Sequence, residues 1–162
     1  MSEEFVEYYK SPTGTIEIVS SDTSITKCNF AKDNFRASSK NVPPIMKNAL
    51  VQLKDYFDGK LQDFVLQLEL SGTEFQLRVW NELQEIPFGQ TITYKELAEK
   101  IGNKKAIRAV ASANAKNPIS IIVPCHRVIG SDGKLRGYGG GIERKKWLID
   151  FEKSAYKSRK FS

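Results

Sequence analysis

The apolar pattern of this chain changes period at Ser71-Gly72-Thr73, and no single regular element serves both patterns. Before that point apolar and β-branched residues come in short runs of strand type; after it they recur three and four apart, as on helices. Phe5 to Lys10 alternates, Ser11-Pro12-Thr13-Gly14 is a turn signal, and Thr15–Ser20 and Ile25–Phe30 read as two further strands. Connections this short favour an antiparallel meander. Pro43-Pro44 then opens a helix over Ile45–Phe57, with Ile45, Ala49, Leu53 and Phe57 four apart, and Asp58-Gly59 ends it. Phe64–Leu70 reads as a returning strand. Cys28, in the third strand, reads as a small core filler.

The sequence divides as residues 1–72, a small α/β structural domain, and 73–162, a mostly helical domain; the fold class is α+β. With 162 residues, 40% of them apolar, two small units have the material for a core. No run approaches the roughly 18 apolar residues of a membrane span. The acidic opening MSEEFVEYYK reads against a secretory signal. Two cysteines make no disulfide framework, and with one histidine they cannot supply a tetrahedral structural zinc site without carboxylate help; no metal and no cofactor are expected. Charge separates along the chain. Residues 1–72 hold 8 Lys/Arg against 10 Asp/Glu, and residues 73–162 hold 17 against 9. A basic second half points to a polyanion partner.

Phe75–Leu83 places Phe75, Val79, Trp80 and Leu83 on one helical face, and Pro87-Phe88-Gly89 breaks the run. Thr93-Tyr94-Lys95-Glu96 has capping-box spacing for a helix to about Ile101. Gly102 turns the chain, and Asn103 is positioned to cap a helix over Lys104–Ala115. Two short helices about a glycine turn make a helix-turn-helix pattern. In the second helix Ile107 and Val110 read as core, most other residues are small, and Arg108 is the long cation in the middle. With Lys104, Lys105 and Lys116 around it, this helix reads as a DNA contact.

The chemistry concentrates further on. Ile119–Val123 is an apolar run of buried, extended type that stops at Pro124, so Cys125 stands at the end of a rigid support. His126, the only histidine, follows at once. A thiol titrates near 8.5, so it needs a base to become a nucleophile at neutral pH, and an imidazole is suited to take its proton directly or through a water. The imidazole in turn needs a carboxylate to orient it. Adjacent residues of an extended segment point opposite ways, so a turn after Cys125 or a bridging water is required. Gly137-Tyr138-Gly139-Gly140-Gly141 permits close backbone approach to a ligand but lacks the ending of a phosphate loop. A last helix, Glu143–Glu152, buries Trp147, Leu148 and Phe151 and offers Glu152 as the carboxylate.

The segment Pro124-Cys125-His126-Arg127-Val128, preceded by Asn117-Pro118 and Ile119–Val123 and followed by the glycine loop and a Trp-Leu helix ending in Glu, resembles the O6-alkylguanine-DNA alkyltransferases, also called methylated-DNA–protein-cysteine methyltransferases. The likeness runs from Thr73-Glu74-Phe75-Gln76 through Ile86-Pro87-Phe88-Gly89, Thr93-Tyr94 and Ala109-Val110 to Trp147; the first half matches only in its strand–helix plan. The resemblance implies irreversible, single-turnover transfer of an alkyl group from O6 of guanine, and less readily from O4 of thymine, to Cys125. His126, Glu152 and a water would generate the thiolate, Asn117 would brace the segment, and Tyr94 would assist as an acid. Backbone at Val123 and Cys125 would read the exocyclic amine. Ser131, Tyr138 and Gly139 complete the expected substrate contacts, the Gly139 amide facing O6. Arg108 would fill the space of a flipped nucleotide, with Lys95, Asn103, Ala106 and Ala109 on the minor groove of duplex DNA. Small residues such as Ala113 would ease that approach. The expected partner is double-stranded DNA carrying alkylated guanine, bound by a monomer, with cooperative assembly open. The expected compartment is intracellular: cytoplasmic, or nuclear in a eukaryote. Two alternatives stand beside this: a lesion-binding protein on the same scaffold without transfer, and a helix-turn-helix regulator.

Overall fold

The computed structural model describes residues 3–32 and 35–160, with no side-chain description for 159 and 160. The chain forms two compact units, Met1–Leu70 and Ser71–Ser162. In the first, β1 (Phe5–Ser11), β2 (Gly14–Ser20) and β3 (Ile25–Phe30) make an antiparallel meander in the order β1-β2-β3. Ser11 pairs with Gly14 across a two-residue turn, Pro12-Thr13, and the Ser11 hydroxyl closes it by donating to the Gly14 carbonyl at 2.6 Å. Alternation then places Ile16 and Ile18 on the buried face, joined by Ile25 and Cys28. Helix α1 (Pro44–Phe57) covers that face with Met46, Ala49, Leu53 and Tyr56. Cys28 is buried, and burial pushes its thiol up to about 12, which suits the expected core filler.

The returning strand expected over Phe64–Leu70 does not form. That segment is extended but meets the sheet at one parallel bridge, Ile25 with Leu68, through Ile25 N–H to Gln67 O and Glu69 N–H to Ile25 O, both 2.9 Å. The reason is local. The Gln52 side chain takes both backbone groups of Val65, donating to its carbonyl at 2.9 Å and accepting from its N–H at 2.8 Å. A ladder cannot run through a residue whose N–H and C=O are already engaged.

In the second unit, α2 (Glu74–Leu83) and α3 (Tyr94–Lys100) each begin in a complete capping box, Thr73 with Gln76 and Thr93 with Glu96. The helix after Gly102 starts later than expected: α4 is Ile107–Ala115. Asn103 does not cap it. Its side chain accepts from the Lys105 N–H at 3.3 Å and its carbonyl from the Ala106 N–H at 3.1 Å, so residues 103–106 form a turn of their own. Ile107, at the new start, is 39% exposed rather than core. Helices α3 and α4 pack together about this turn, and α2 packs against α4.

Two further expectations need correcting. Ile119–Val123 is buried, but it is not a plain extended run: Ile121 has φ 73° and a single bridge joins Ser120 to Val123. A β-branched residue at positive φ persists only where its surroundings over-determine it. Here Asn117 does so, donating to the Val123 carbonyl at 2.8 Å and the Ile119 carbonyl at 3.4 Å and accepting from the Ile119 N–H at 3.0 Å. The last helix, α5, spans Ile142–Lys160. Its buried side is Lys145, Leu148, Ile149 and Glu152; Trp147 and Phe151 are half-buried and stack on each other with centroids 5.1 Å apart. Finally, β4 (Ile92–Thr93) pairs in parallel with β5 (Val128–Ile129), which ties the start of α3 to the chain just past Cys125. Among the described residues no helix is long and apolar enough to cross a membrane, and no His/Cys/Asp/Glu group is suited to a metal.

Leu53 is fully enclosed between α1 and the sheet. Leu53→Ala is expected to cost the first unit about 2–5 kcal/mol, read as a lowered denaturant midpoint.

Candidate active site

Residues Cys125–Arg127 form one 3-10 turn after Pro124. At three residues per turn successive side chains fan out about 120° apart, so Cys125, His126 and Arg127 can all be buried, as they are. This is the turn that an adjacent Cys and His need if both are to serve one site. His126 Nε2 lies 2.7 Å from Glu152 Oε2 on α5. Arg127 grips the same carboxylate with both ends of its fork, Nε to Oε1 at 2.8 Å and Nη2 to Oε2 at 3.0 Å. The Gly89 N–H adds a longer bond to Oε1 at 3.3 Å. Arg127 is itself held by the Ile86 carbonyl at 2.6 Å and lies over the Phe88 ring. Burial pushes the Glu152 carboxyl up, but His126 and Arg127 outweigh it and hold the group well below the ordinary carboxylate range.

That ionised carboxylate can only accept, so the imidazole hydrogen on this side sits on Nε2. Nδ1 is the other ring nitrogen. It is buried and has no hydrogen-bond partner among the described residues. Burial also pushes the Cys125 thiol up, with Asn117, the Lys145 charge and Ser120 pulling it only part of the way back. Burial thus leaves Cys125 a thiol at rest.

A second polar cluster surrounds Tyr94, the first residue of α3. Its hydroxyl donates to the Arg136 carbonyl at 2.6 Å and accepts from Lys145 Nζ at 3.2 Å. Burial pushes this phenol up to about 12 and the Lys145 ammonium down to about 8. Lys145 is fully buried and donates to the Arg136 carbonyl at 2.5 Å. The glycine loop closes over this cluster. A Cβ on Gly137, whose φ is 64°, would stand 2.7 Å from the Tyr94 hydroxyl oxygen, and one on Gly139 3.3 Å from the Ala115 carbonyl. Only glycine permits the first approach.

The structure joins His126 to Glu152, Asn117 to the segment that ends at Cys125, and Tyr94 to the glycine loop. Tyr138 is buried in that loop, whereas Gly139 and Ser131 are exposed. Val123 stands behind the nucleophile: its carbonyl already accepts from Asn117 and from the Cys125 N–H, both at 2.8 Å. Lys95, Asn103, Arg108 and Ala109 are exposed and Ala106 is half-buried. Ala113 faces inward, its carbonyl bonded to the Trp80 indole at 2.8 Å. Sequence reasoning missed Arg127, Lys145 and Asn114. The sequence offers no local signal for the last two, whose partners lie far off along the chain.

Comparison with known proteins decides the family. Models described as "6-O-methylguanine DNA methyltransferase, ribonuclease-like domain" and "6-O-methylguanine DNA methyltransferase, DNA binding domain" match residues 5–70 and 74–154. The chain belongs to the O6-methylguanine-DNA methyltransferase family. Among members of this methyltransferase family, the methylated-DNA–protein-cysteine methyltransferase of Mycobacterium tuberculosis is 46% identical over 147 residues, 89% of each chain. That of Methanosarcina acetivorans is 45% identical over 150 residues, 90% of this chain and 96% of its own. The crystal structure of the M. tuberculosis O6-methylguanine methyltransferase superposes with TM-score 0.86 at 42% identity, covering 94% of both. A structure of the M. tuberculosis protein in complex with DNA gives 0.84 at 45% identity, covering 93% of both.

Glu152→Gln would strand the Arg127 guanidinium in the interior, so it is expected to cost about 3–5 kcal/mol at neutral pH. The wild-type carboxyl is held low, so its contribution is complete above the ordinary range near ~4.3 and drains away as the pH falls further. The gap between the two proteins in urea unfolding should therefore narrow in acid.

Proposed function

We propose that this protein repairs alkylated DNA by transferring the alkyl group from O6 of guanine to Cys125, once per molecule. The observation that carries the reading is the buried Cys125–His126–Glu152 arrangement, with the imidazole fixed through Nε2 and Nδ1 left as the acceptor. It lies in the same unit as an exposed, cation-bearing helix-turn-helix.

The Cys125 proton passes to His126 Nδ1, directly or through a water, and Glu152 stabilises the imidazolium. The thiolate attacks the alkyl carbon in line with O6. The new S–C bond forms as the C–O bond breaks, and the electron pair leaves on the purine. Tyr94 gives that anion a proton or a hydrogen bond, and Lys145 at its oxygen steadies the phenolate that this creates. The Cys125 sulfur ends as a thioether, which no thiol exchanges, so the molecule is spent. Asn117 keeps the segment behind the nucleophile in its strained form. Within that segment the Cys125 carbonyl is better placed than the doubly bonded Val123 carbonyl to read the exocyclic amine. Tyr138, Gly139 and Ser131 line the way in, the Gly139 amide toward O6.

An O6-alkyl group is out of reach inside a stacked duplex, so the nucleotide must swing out. Arg108, exposed on α4, is the residue to occupy its place, with Ala106 and Ala109 letting the helix approach the minor groove. Lys95 and Asn103 would meet the backbone, Asn103 through its turn and not through a helix terminus. Repair must be indifferent to sequence, and the degenerate minor groove suits that. One chain carries the whole arrangement, consistent with action as a monomer.

Intact-mass measurement after mixing with a duplex bearing one O6-methylguanine should show a single methyl gain on Cys125, absent from Cys125→Ala. Tight lesion-selective binding with no gain would instead make this a lesion-binding protein. Arg108→Ala should slow transfer from duplex by about tenfold or more while leaving transfer from the free alkylated base nearly intact; equal losses on both would remove its flipping role.

A further inference from the structure

Asn114 lies in the last turn of α4, six residues past Arg108 and so about 120° around the helix from it. Arg108 is exposed, whereas Asn114 is fully buried. Its Nδ2 donates to the Cys125 carbonyl at 3.1 Å and the Gly137 carbonyl at 3.4 Å, and lies 3.5 Å from the Tyr94 hydroxyl. The two carbonyls fix which way round the amide sits, because the opposite orientation would set an acceptor against two acceptors. These contacts belong to three separate segments: the 3-10 turn of the nucleophile, the glycine loop and the start of α3. The Asn114 Oδ1 is buried without a hydrogen-bond partner among the described residues. A side chain serving only to fill space would not leave a buried acceptor unpaired, which costs about 1–3 kcal/mol.

We propose that Asn114 is a positioning residue for alkyl transfer: one side-chain amide keeps the nucleophile's peptide, the glycine loop and the Tyr94 hydroxyl in register from the helix that carries Arg108. The proposal rests on the transfer reaction above. The Cys125 carbonyl belongs to the peptide that leads from Cys125 to His126, so the bond from Asn114 sets the plane on which both side chains are hung. The bond to Gly137 holds the loop where it meets Tyr94. Without the amide, two buried carbonyls lose their donor together, and nucleophile and acid lose a common reference.

The test uses the full-length protein with Asn114→Leu, close in volume but without donors, and Asn114→Asp. Single-turnover rates are measured on an O6-methylguanine duplex and on the free base. Duplex affinity is measured in a Cys125→Ala background, and folding is checked by circular dichroism. Asn114→Leu should slow transfer on the order of 10- to 100-fold on both substrates, with lesion-duplex affinity within about threefold, the range of ordinary context effects. Combined with Tyr94→Phe, its effect should be clearly less than multiplicative, because both changes disable the same acid. Asn114→Asp sets a carboxylate against two carbonyls. Its rate relative to wild type should rise as the pH is lowered from about 8 to about 5, where protonation restores one donor. A wild-type rate in Asn114→Leu overturns the proposal. So does a strictly multiplicative loss with Tyr94→Phe, or an Asp-to-wild-type ratio that is flat with pH, since a merely structural role predicts both. Absence of transfer in the wild-type protein itself would overturn the underlying reaction and this proposal with it.

Discussion

The carboxylate of Glu152 is shared between an imidazole and a guanidinium that never gives up its proton. His126 and Arg127 both bond to it in the interior, Arg127 through two nitrogens. Its charge would be untenable there alone, and so would that of Arg127. Together they form a neutral unit onto which the imidazole is fastened. The loop at Ile86–Gly89 contributes by capping Arg127 with a carbonyl and Glu152 with an amide. The 3-10 turn at Cys125, the course of α5 and the break after α2 converge on this one anion. The orientation of the His126 ring follows from it.

The second constraint is closeness of backbone. The glycine loop lies against Tyr94 and the carbonyl of Ala115 at distances that leave no room for a side chain at Gly137 and little at Gly139. Helix α4 therefore has two working sides. Its exposed side holds Arg108 among small residues, and its inner side borders the loop and carries Asn114. The parallel pair β4–β5 fixes the other edge by joining the start of α3 to the chain after Arg127. Close backbone approach and the parallel pair thus place the turn at Cys125, the start of α3 and the glycine loop against one another.

Much of this was legible in residue order. The meander, α1 and both threonine capping boxes follow from local rules: turn chemistry, period and cap spacing. Cys125 and His126 could be singled out because a buried run, a proline, a cysteine, the sole histidine and a glycine loop follow one another, and Glu152 because the last helix offers it as a carboxylate. What escaped depends on partners distant in sequence. Gln52 displaces a strand partner by imitating one at Val65, a contact 13 residues away. Asn103 spends its capping capacity on a turn before α4 begins. Ile121 adopts positive φ because Asn117 bonds across the segment. Lys145 looks solvated by composition, yet it is buried because the Arg136 carbonyl and the Tyr94 hydroxyl meet it at α5. Only the three-dimensional arrangement creates those partners.

Both cysteines of this chain are buried thiols pushed upward by burial. Peroxides and other oxidants attack thiolates in preference to thiols, and exposed sulfur in preference to enclosed sulfur. For a sulfur consumed by its own reaction this matters more than for a sulfur that is regenerated, since every molecule lost to oxidation is a lesion left in place. Cys125, enclosed and held as a thiol, is shielded on both counts, and Cys28 is enclosed in the same way.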